Sequence, residues 1–252
     1  MYKNCYGICF TPETYNSYIG WWSYFKNKED VFYIVDNSKN KPINYNAFLY
    51  TENDIRNNFN FKKDVSRGHY WNHAGNRNII WFYAYLRMIN FYIANPNYDY
   101  YWFFDDDVSC DNWDEFLSGF ENDDSDFLSY FLFKNINVET YSEIPKTDGR
   151  MHSKGLWFHR FPGHGDELTP EIKDYFGSFF AIVRYSNKAL KEIVEVTKNG
   201  FSGYGEGFVP SYLATLNLKM NTIFSPDNTS KYFNQSIANV KHKNQLITWE
   251  WL

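Results

Sequence analysis

The sequence has 252 residues, a formal net charge of −5 and an isoelectric point near 5.7. Hydrophobic residues make up 44% and aromatic residues 22%, which is enough to bury a large core and excludes a disordered chain. The acidic balance argues against a nucleic-acid partner, because such proteins need a basic face, and against a polybasic membrane anchor.

Cysteine usage and hydropathy indicate the compartment. The three cysteines include no CxxC pair, so neither a disulfide scaffold nor a zinc site is indicated. The most apolar run, residues 79–86, is too short for a transmembrane segment, and no secretory signal is visible. We therefore expect a cytoplasmic protein, either free or peripheral to a membrane.

Short strands and helices alternate along the first part of the chain. Their hydrophobic periodicity predicts the following elements: strands at 5–10, 31–35, 47–50 and 100–104, and helices at 13–25 and 76–93. The second part continues the alternation with these predicted elements: strands at 127–133 and 175–185, and helices at 111–120, 187–198 and from 206 to about 216. Such alternation predicts an α/β fold with a mostly parallel sheet covered by helices on both faces.

Three consecutive aspartates, Asp105, Asp106 and Asp107, follow the most aromatic predicted strand. Because side chains alternate along a strand, Asp105 and Asp107 should face one way and Asp106 the other. Their mutual repulsion would be relieved by Mn²⁺ or Mg²⁺, which prefer oxygen ligands and are often shared with substrate phosphates. Ligands of α/β sheets also gather at the carboxyl ends of strands. The alternative interpretation is a solvated turn whose aspartates cap a helix.

Three segments resemble glycosyltransferases of the GT-A fold, a Rossmann-like α/β fold. The sequence YDYYWFFDDDVSCDNWDEF at 98–116, with DSDFLSY after it, resembles the DxD strand of a bacterial subgroup. The segments YFGSFFAIVRYSNKAL at 175–190 and FSGYGEGFVPSYLATLNLKM at 201–220 resemble the strand, loop and helix on the acceptor side. The resemblance implies a single domain over 1–252, in which 1–110 binds the nucleotide sugar and 111–252 binds the acceptor.

The same resemblance implies an activity and its participants. It implies a hexosyltransferase that uses a UDP- or GDP-sugar donor and a glycan or other hydroxyl acceptor, as in polysaccharide biosynthesis. Asp105 and Asp107 would hold the metal, Asp106 would contribute to the donor site, and Asp36 would contact the nucleoside. Glu206, at the start of a helix, would be the general base of an inverting transfer. The competing interpretation of Glu206 is a carboxylate that complements the helix dipole.

Three further residues are candidates for the donor and metal sites. His242 would reach the metal, as a late histidine does in many enzymes of this fold, and Lys243 or Lys241 would reach the diphosphate. Arg77 lies at the start of a predicted helix, where phosphates bind well. The competing interpretation of each of these residues is an ordinary surface side chain.

Two other functions remain open at this point. A haloacid-dehalogenase-like phosphatase also has an apolar strand followed by Asp-x-Asp, with Asp105 as nucleophile and Asp107 as acid/base. That family needs a later strand ending in paired aspartates, whereas Asp123 and Asp124 precede a strand. A non-catalytic carbohydrate-binding protein would account for the aromatic residues, but such modules are mostly all-β.

Overall fold

The structure of the protein is a computed structural model. It describes residues 2–11, 14–15, 19–38, 40, 42–43, 47–59, 84–106, 108–110, 112–130, 132–134, 176–178, 180–203, 205–223 and 240–242. Within these ranges no helix is long and apolar enough to cross a membrane.

The described residues form strands and helices in the following order. The strands are β1 (Asn4–Phe10), β2 (Val31–Asp36), β3 (Phe48–Tyr50), β4 (Tyr100–Asp105), β5 (Val108–Cys110), β6 (Phe127–Ser129), β7 (Leu132–Lys134), β8 (Phe176–Ser178), β9 (Ile182–Ser186), β10 (Met220–Thr222) and β11 (Val240–His242). The helices are a 3₁₀ helix (Ile19–Phe25), α1 (Glu52–Asn58), α2 (Ala84–Ala94), α3 (Trp113–Ser118), α4 (Asn187–Lys198) and α5 (Gly205–Thr215).

In the described part of the chain, seven strands form one sheet in the order β10-β6-β9-β4-β1-β2-β3. The pairs β1–β2, β1–β4, β2–β3 and β6–β10 are parallel. Strand β9 runs antiparallel to both of its neighbours, β4 and β6. The predicted α/β architecture with a mostly parallel sheet is therefore confirmed.

Helices cover both faces of this sheet. Tyr101 and Phe103 of β4 belong to one buried cluster, which also contains the apolar side chains of α1, α2, α4 and α5. Trp102 and Phe104 belong to the opposite cluster, with the 3₁₀ helix and α3. This alternation follows from the strand period of two, and it directs Asp105 towards the face covered by α2 and α5.

Local capping signals explain two of the helices. The predicted helix at 187–198 is confirmed: Ser186 accepts from the backbone N–H of Ala189, and Gly200 follows the helix with a φ of 84°. Helix α1 was not predicted, although its N-terminus is a capping box between Thr51 and Asp54. The spacing of those two residues was the available signal.

Several predicted boundaries are wrong. The single strands predicted at 127–133 and 175–185 are each two short strands, because β7 and β8 pair with each other outside the main sheet. An uninterrupted apolar run does not reveal such a change of sheet. The described end of the predicted helix at 13–25 is a 3₁₀ helix with a kink at Trp22. Helix α2 confirms the end of the helix predicted at 76–93, and residues 76–83 lie outside the described ranges.

Gly7 allows β1 to pack closely against its neighbours. A Cβ atom at this position would lie 2.7 Å from Cδ1 of Phe103 and 2.8 Å from Cδ1 of Ile34. Both neighbours are fully buried, so neither can move away freely. We expect Gly7→Ala to lower the free energy of unfolding by about 1 to 3 kcal/mol, which exceeds the usual gain of about 0.4 to 1 kcal/mol from a stiffer unfolded chain. Urea denaturation measures the loss, and an unchanged midpoint would contradict it.

Candidate active site

An ion pair joins the end of the central strand to the helix above it. Nη2 of Arg87, on α2, donates to Oδ1 of Asp105, the last residue of β4. The Arg87 side chain is 15% exposed and that of Asp105 is 31% exposed. Both groups are thus mostly shielded from water. A charged group in such a position needs an opposite charge nearby, and each member of the pair provides it for the other.

The groups around this pair are mostly uncharged. Cys9 lies opposite Asp105 in the register of β1 and β4, and burial raises the pKa of its thiol to about 12. Burial by itself lowers the pKa of Arg87, but the nearby Cys9 and Asp105 act in the other direction, and the net shift is upward. Since the Cys9 thiol is neutral near pH 7, Asp105 is the main partner that keeps Arg87 charged.

Asp36 ends β2 at the same edge of the sheet. Its Oδ1 accepts hydrogen bonds from the backbone N–H of Ser38 at 2.9 Å and from Oγ of Ser38 at 2.6 Å. Oγ of Ser38 also accepts from the backbone N–H of Glu52, the first residue of α1, at 2.8 Å. Asp36 therefore shapes the turn that leaves β2, and it lies at the carboxyl edge of the sheet, where ligands of α/β proteins commonly bind.

Asp106 follows Asp105 in a turn. A side chain on the sheet face opposite α2 and α5 binds the backbone of this turn. The indole Nε1 of Trp22 donates to the carbonyl oxygen of Asp106 at 3.2 Å. Trp22 is almost completely buried against Phe104 and Trp113. The first two aspartates are therefore anchored from both faces of the sheet: Asp105 through its side chain and Asp106 through its backbone.

Glu206 lies in the first turn of α5 and is 9% exposed. Its Oε1 accepts the backbone N–H of Phe180 at 2.9 Å, and its carbonyl oxygen accepts Oγ of Ser178 at 2.8 Å. The second bond has a local cause: Pro210 has no N–H to give to the carbonyl four residues earlier. Ser178 and Phe180 thus hold both the backbone and the side chain of Glu206.

The turn before β9 brings Glu206 to the same edge as the aspartates. The backbone N–H of Asp105 donates to the carbonyl oxygen of Ala181 at 3.0 Å, and the preceding residue, Phe180, binds Glu206. The buried hydroxyl of Tyr185 lies near both sides of the site: burial raises its pKa most, Glu206 raises it further, and Arg87 opposes the shift. The structure therefore holds Asp105 and Glu206 at the same turn, and it pairs Arg87 with Asp105.

Gly205 sets how closely α5 approaches α2. A Cβ atom at this position would lie 3.0 Å from Cδ1 of Tyr85 and 3.3 Å from Cε2 of Phe180. A larger residue would therefore require these two rings, or the start of α5 with Glu206, to shift by a few tenths of an ångström. The glycine preceding Glu206 is part of the site for this steric reason.

The remaining candidates are only partly described. Strand β11 pairs antiparallel with β5, which places the backbone of His242 opposite Val108, one residue after the aspartates. The His242 side chain, Asp107, Arg77 and Lys243 lie outside the described residues. Within the residues that are described, no group of three or more His, Cys, Asp or Glu side chains is placed to hold a metal. Asp105 and Asp106 are the described carboxylates from which a cation site would be built.

Comparisons with known proteins give structural similarities alone. No protein-family model matches the sequence, and no curated protein matches it. The solved structures similar to this chain include an active-site mutant of LgtC, with 9% identity, a TM-score of 0.42, and coverage of 95% of this chain and 86% of that one. The galactosyltransferase LgtC with donor and acceptor sugar analogues has 10% identity, a TM-score of 0.39 and the same two coverages.

A third similar structure is the bifunctional glycosyltransferase WbbM, with 13% identity and a TM-score of 0.41. The match covers 97% of this chain, and the chain spans 43% of WbbM. TM-scores in this range do not assign a function.

Arg87 and Ser178 are site residues that sequence patterns did not identify. The sequence did contain a signal for Arg87, because it is the one charged residue in the apolar segment AYLRMINFYIA. It contained no signal for Ser178, since the contact with Glu206 joins residues 28 positions apart.

Proposed function

We propose that this protein is a metal-dependent glycosyltransferase that moves a hexosyl group from a UDP- or GDP-sugar to a glycan or other hydroxyl acceptor, with inversion. The observation that supports this proposal is the pairing of two carboxylate sites at one sheet edge. Asp105 and Glu206 lie on either side of the Phe180–Ala181 turn, each hydrogen-bonded to it. One carboxylate is thus available for a cation and a separate one for proton transfer.

The residues present fit a divalent cation at the aspartates. Carboxylates are suitable ligands for Mn²⁺ or Mg²⁺, and a carboxylate with about four lone-pair sites can bind a cation while it accepts from Arg87. Two donors near Asp105, Nε of Arg87 and the hydroxyl of Tyr50, are buried without a hydrogen-bond partner among the described residues. They call for an acceptor beside the cation, such as a phosphate oxygen of the donor or an ordered water. Asp107 and His242 would complete the site, and the bound cation would neutralise charge developing on the departing diphosphate.

The chain's own residues would bind the donor and move the proton. Asp36 would contact the nucleoside, Arg77 and Lys243 would contact the phosphates, and Asp106 would contribute to the donor pocket. Glu206 would take the proton of the acceptor hydroxyl, because Asp105 and Asp107 would be committed to the cation. The bonds from Ser178 and Phe180 would fix its direction.

The phosphatase alternative is less compatible with the structure. Asp123 and Asp124 precede β6, which runs parallel to β4 because both are antiparallel to β9. They therefore lie at the amino edge of the sheet, opposite Asp105, where they pair with Arg184 and Lys219. A carbohydrate-binding module is also disfavoured, since such modules are mostly all-β.

A thermal-shift titration with nucleotides tests the proposal. We expect UDP or GDP to raise the melting temperature only with Mn²⁺ or Mg²⁺, by an amount equivalent to about 2.7 kcal/mol at 100 times the dissociation constant. EDTA should abolish the shift, and Asp107→Asn should abolish sugar transfer while the protein remains folded.

Asp124→Asn is the matched control, because Asp124 is an exposed aspartate at the opposite edge of the sheet. It should respond to nucleotides as the wild type does. Full stabilisation and transfer in EDTA would disprove the metal dependence, and no response to any nucleotide or nucleotide sugar would disprove the function.

A further inference from the structure

Arg87 is an unusual residue in its helix. Helix α2 is otherwise apolar around it, and its neighbours Leu86 and Met88 are buried. A guanidinium that is 15% exposed requires compensation, and Asp105 provides it. Stability alone does not explain such a pair, since apolar residues of similar volume often stabilise a protein as well or better.

The geometry of the pair is suited to holding a ligand residue in place. Helix α2 is packed into the core, so the guanidinium projects from a rigid element. It holds Oδ1 of Asp105, while the backbone N–H of the same residue is bound to Ala181. Asp105 is thus held through both its side chain and its backbone. The nearby Cys9 and Tyr50 are neutral at pH 7, and burial raises both of their pKa values further above it.

We propose that Arg87 is a positioning residue that orients Asp105 for a divalent cation. The proposal rests on the metal-dependent function proposed above. Groups that hydrogen-bond to metal ligands typically change metal affinity by about 10- to 100-fold when they are replaced. The positive charge of Arg87 also repels a cation. Removing that charge would therefore raise the affinity for the cation, while losing the orientation of Asp105 would lower it. A variant that keeps the charge and changes only the geometry separates the two effects.

Arg87→Lys is that variant, because lysine keeps the positive charge and loses the planar fork. Its matched control is Arg56→Lys, which alters another arginine–carboxylate pair, that with Glu52 on α1. Mn²⁺ binding would be measured by electron paramagnetic resonance with UDP or GDP present, and the melting temperature without ligand would report the fold. We expect the Mn²⁺ dissociation constant to rise about 10- to 100-fold in Arg87→Lys and to stay unchanged in Arg56→Lys.

A double-mutant cycle shows whether Arg87 acts through Asp105. If it does, Arg87→Lys should add little to the loss of affinity caused by Asp105→Asn. If Arg87→Lys fails to fold, Asp105→Glu is the second test, because a longer carboxylate remains a cation ligand but cannot keep the same position against the guanidinium. Its Mn²⁺ affinity should fall in the same way.

The outcomes distinguish this inference from the function on which it rests. Wild-type affinity for Mn²⁺ in Arg87→Lys, or in Asp105→Glu where that variant is used, overturns the role of Arg87 alone. Fully additive losses in the double mutant also overturn it. A wild-type protein that binds no Mn²⁺ with either nucleotide overturns the metal-dependent function, and the role of Arg87 with it.

Discussion

Replacing Glu206 by glutamine is expected to lower kcat by about 10² to 10⁴, the usual contribution of a general base. The glutamine side chain retains an oxygen that can accept the N–H of Phe180, and the backbone carbonyl still accepts Oγ of Ser178. The variant should therefore keep its fold and its donor affinity while losing the ability to take a proton. Steady-state kinetics with a donor identified by thermal shift would measure the effect.

Glu195→Gln is the matched control for this experiment. Glu195 is an exposed carboxylate on α4, and its replacement should leave kcat unchanged. A near-normal kcat in Glu206→Gln would return Glu206 to a structural role at the helix N-terminus, where a carboxylate contributes about 0.3 to 1 kcal/mol. A product that retains the anomeric configuration would equally exclude it as the base of an inverting transfer.

Replacing Arg184 by methionine is expected to lower the free energy of unfolding by about 3 to 5 kcal/mol, because it leaves a largely buried charge unpaired. Arg184 is 2% exposed, and its guanidinium donates to the carbonyl oxygens of Phe120, Asp123 and Ser125 and to Oδ1 of Asp123 at 2.7 Å. It also lies over the Tyr100 ring, with its Cζ atom 4.4 Å from the ring centroid. Urea denaturation at a constant m value would measure the loss.

Lys219→Met is the comparison variant for Arg184. Lys219 also pairs with an aspartate, Asp124, but both side chains are more than half exposed. An exposed pair contributes little, so this variant should unfold at the wild-type urea concentration. Equal midpoints for the two variants would show that the buried network around Arg184 carries no more stability than a surface ion pair.

Much of the architecture could be predicted from local patterns. The alternation of apolar strands and helices predicted the mostly parallel sheet, and Ser186 and Gly200 marked both ends of α4, because these signals lie within a few residues of the element they define. The division of the apolar segments around 127–133 and 175–185 into strands of different sheets could not be predicted. It depends on partners that are distant in sequence, and a continuous apolar run fits either arrangement.

The candidate site also combines features that the sequence predicts with contacts that only the tertiary structure shows. The sequence by itself determined that three aspartates follow an aromatic strand and that Glu206 begins a helix, because both features are local. Only the tertiary structure decided that Arg87 pairs with Asp105, and that Ser178 and Phe180 hold Glu206 beside the same turn. The physical reason is that a buried charge or carboxylate is satisfied by whichever groups the folded chain brings close, and sequence spacing carries no record of those contacts.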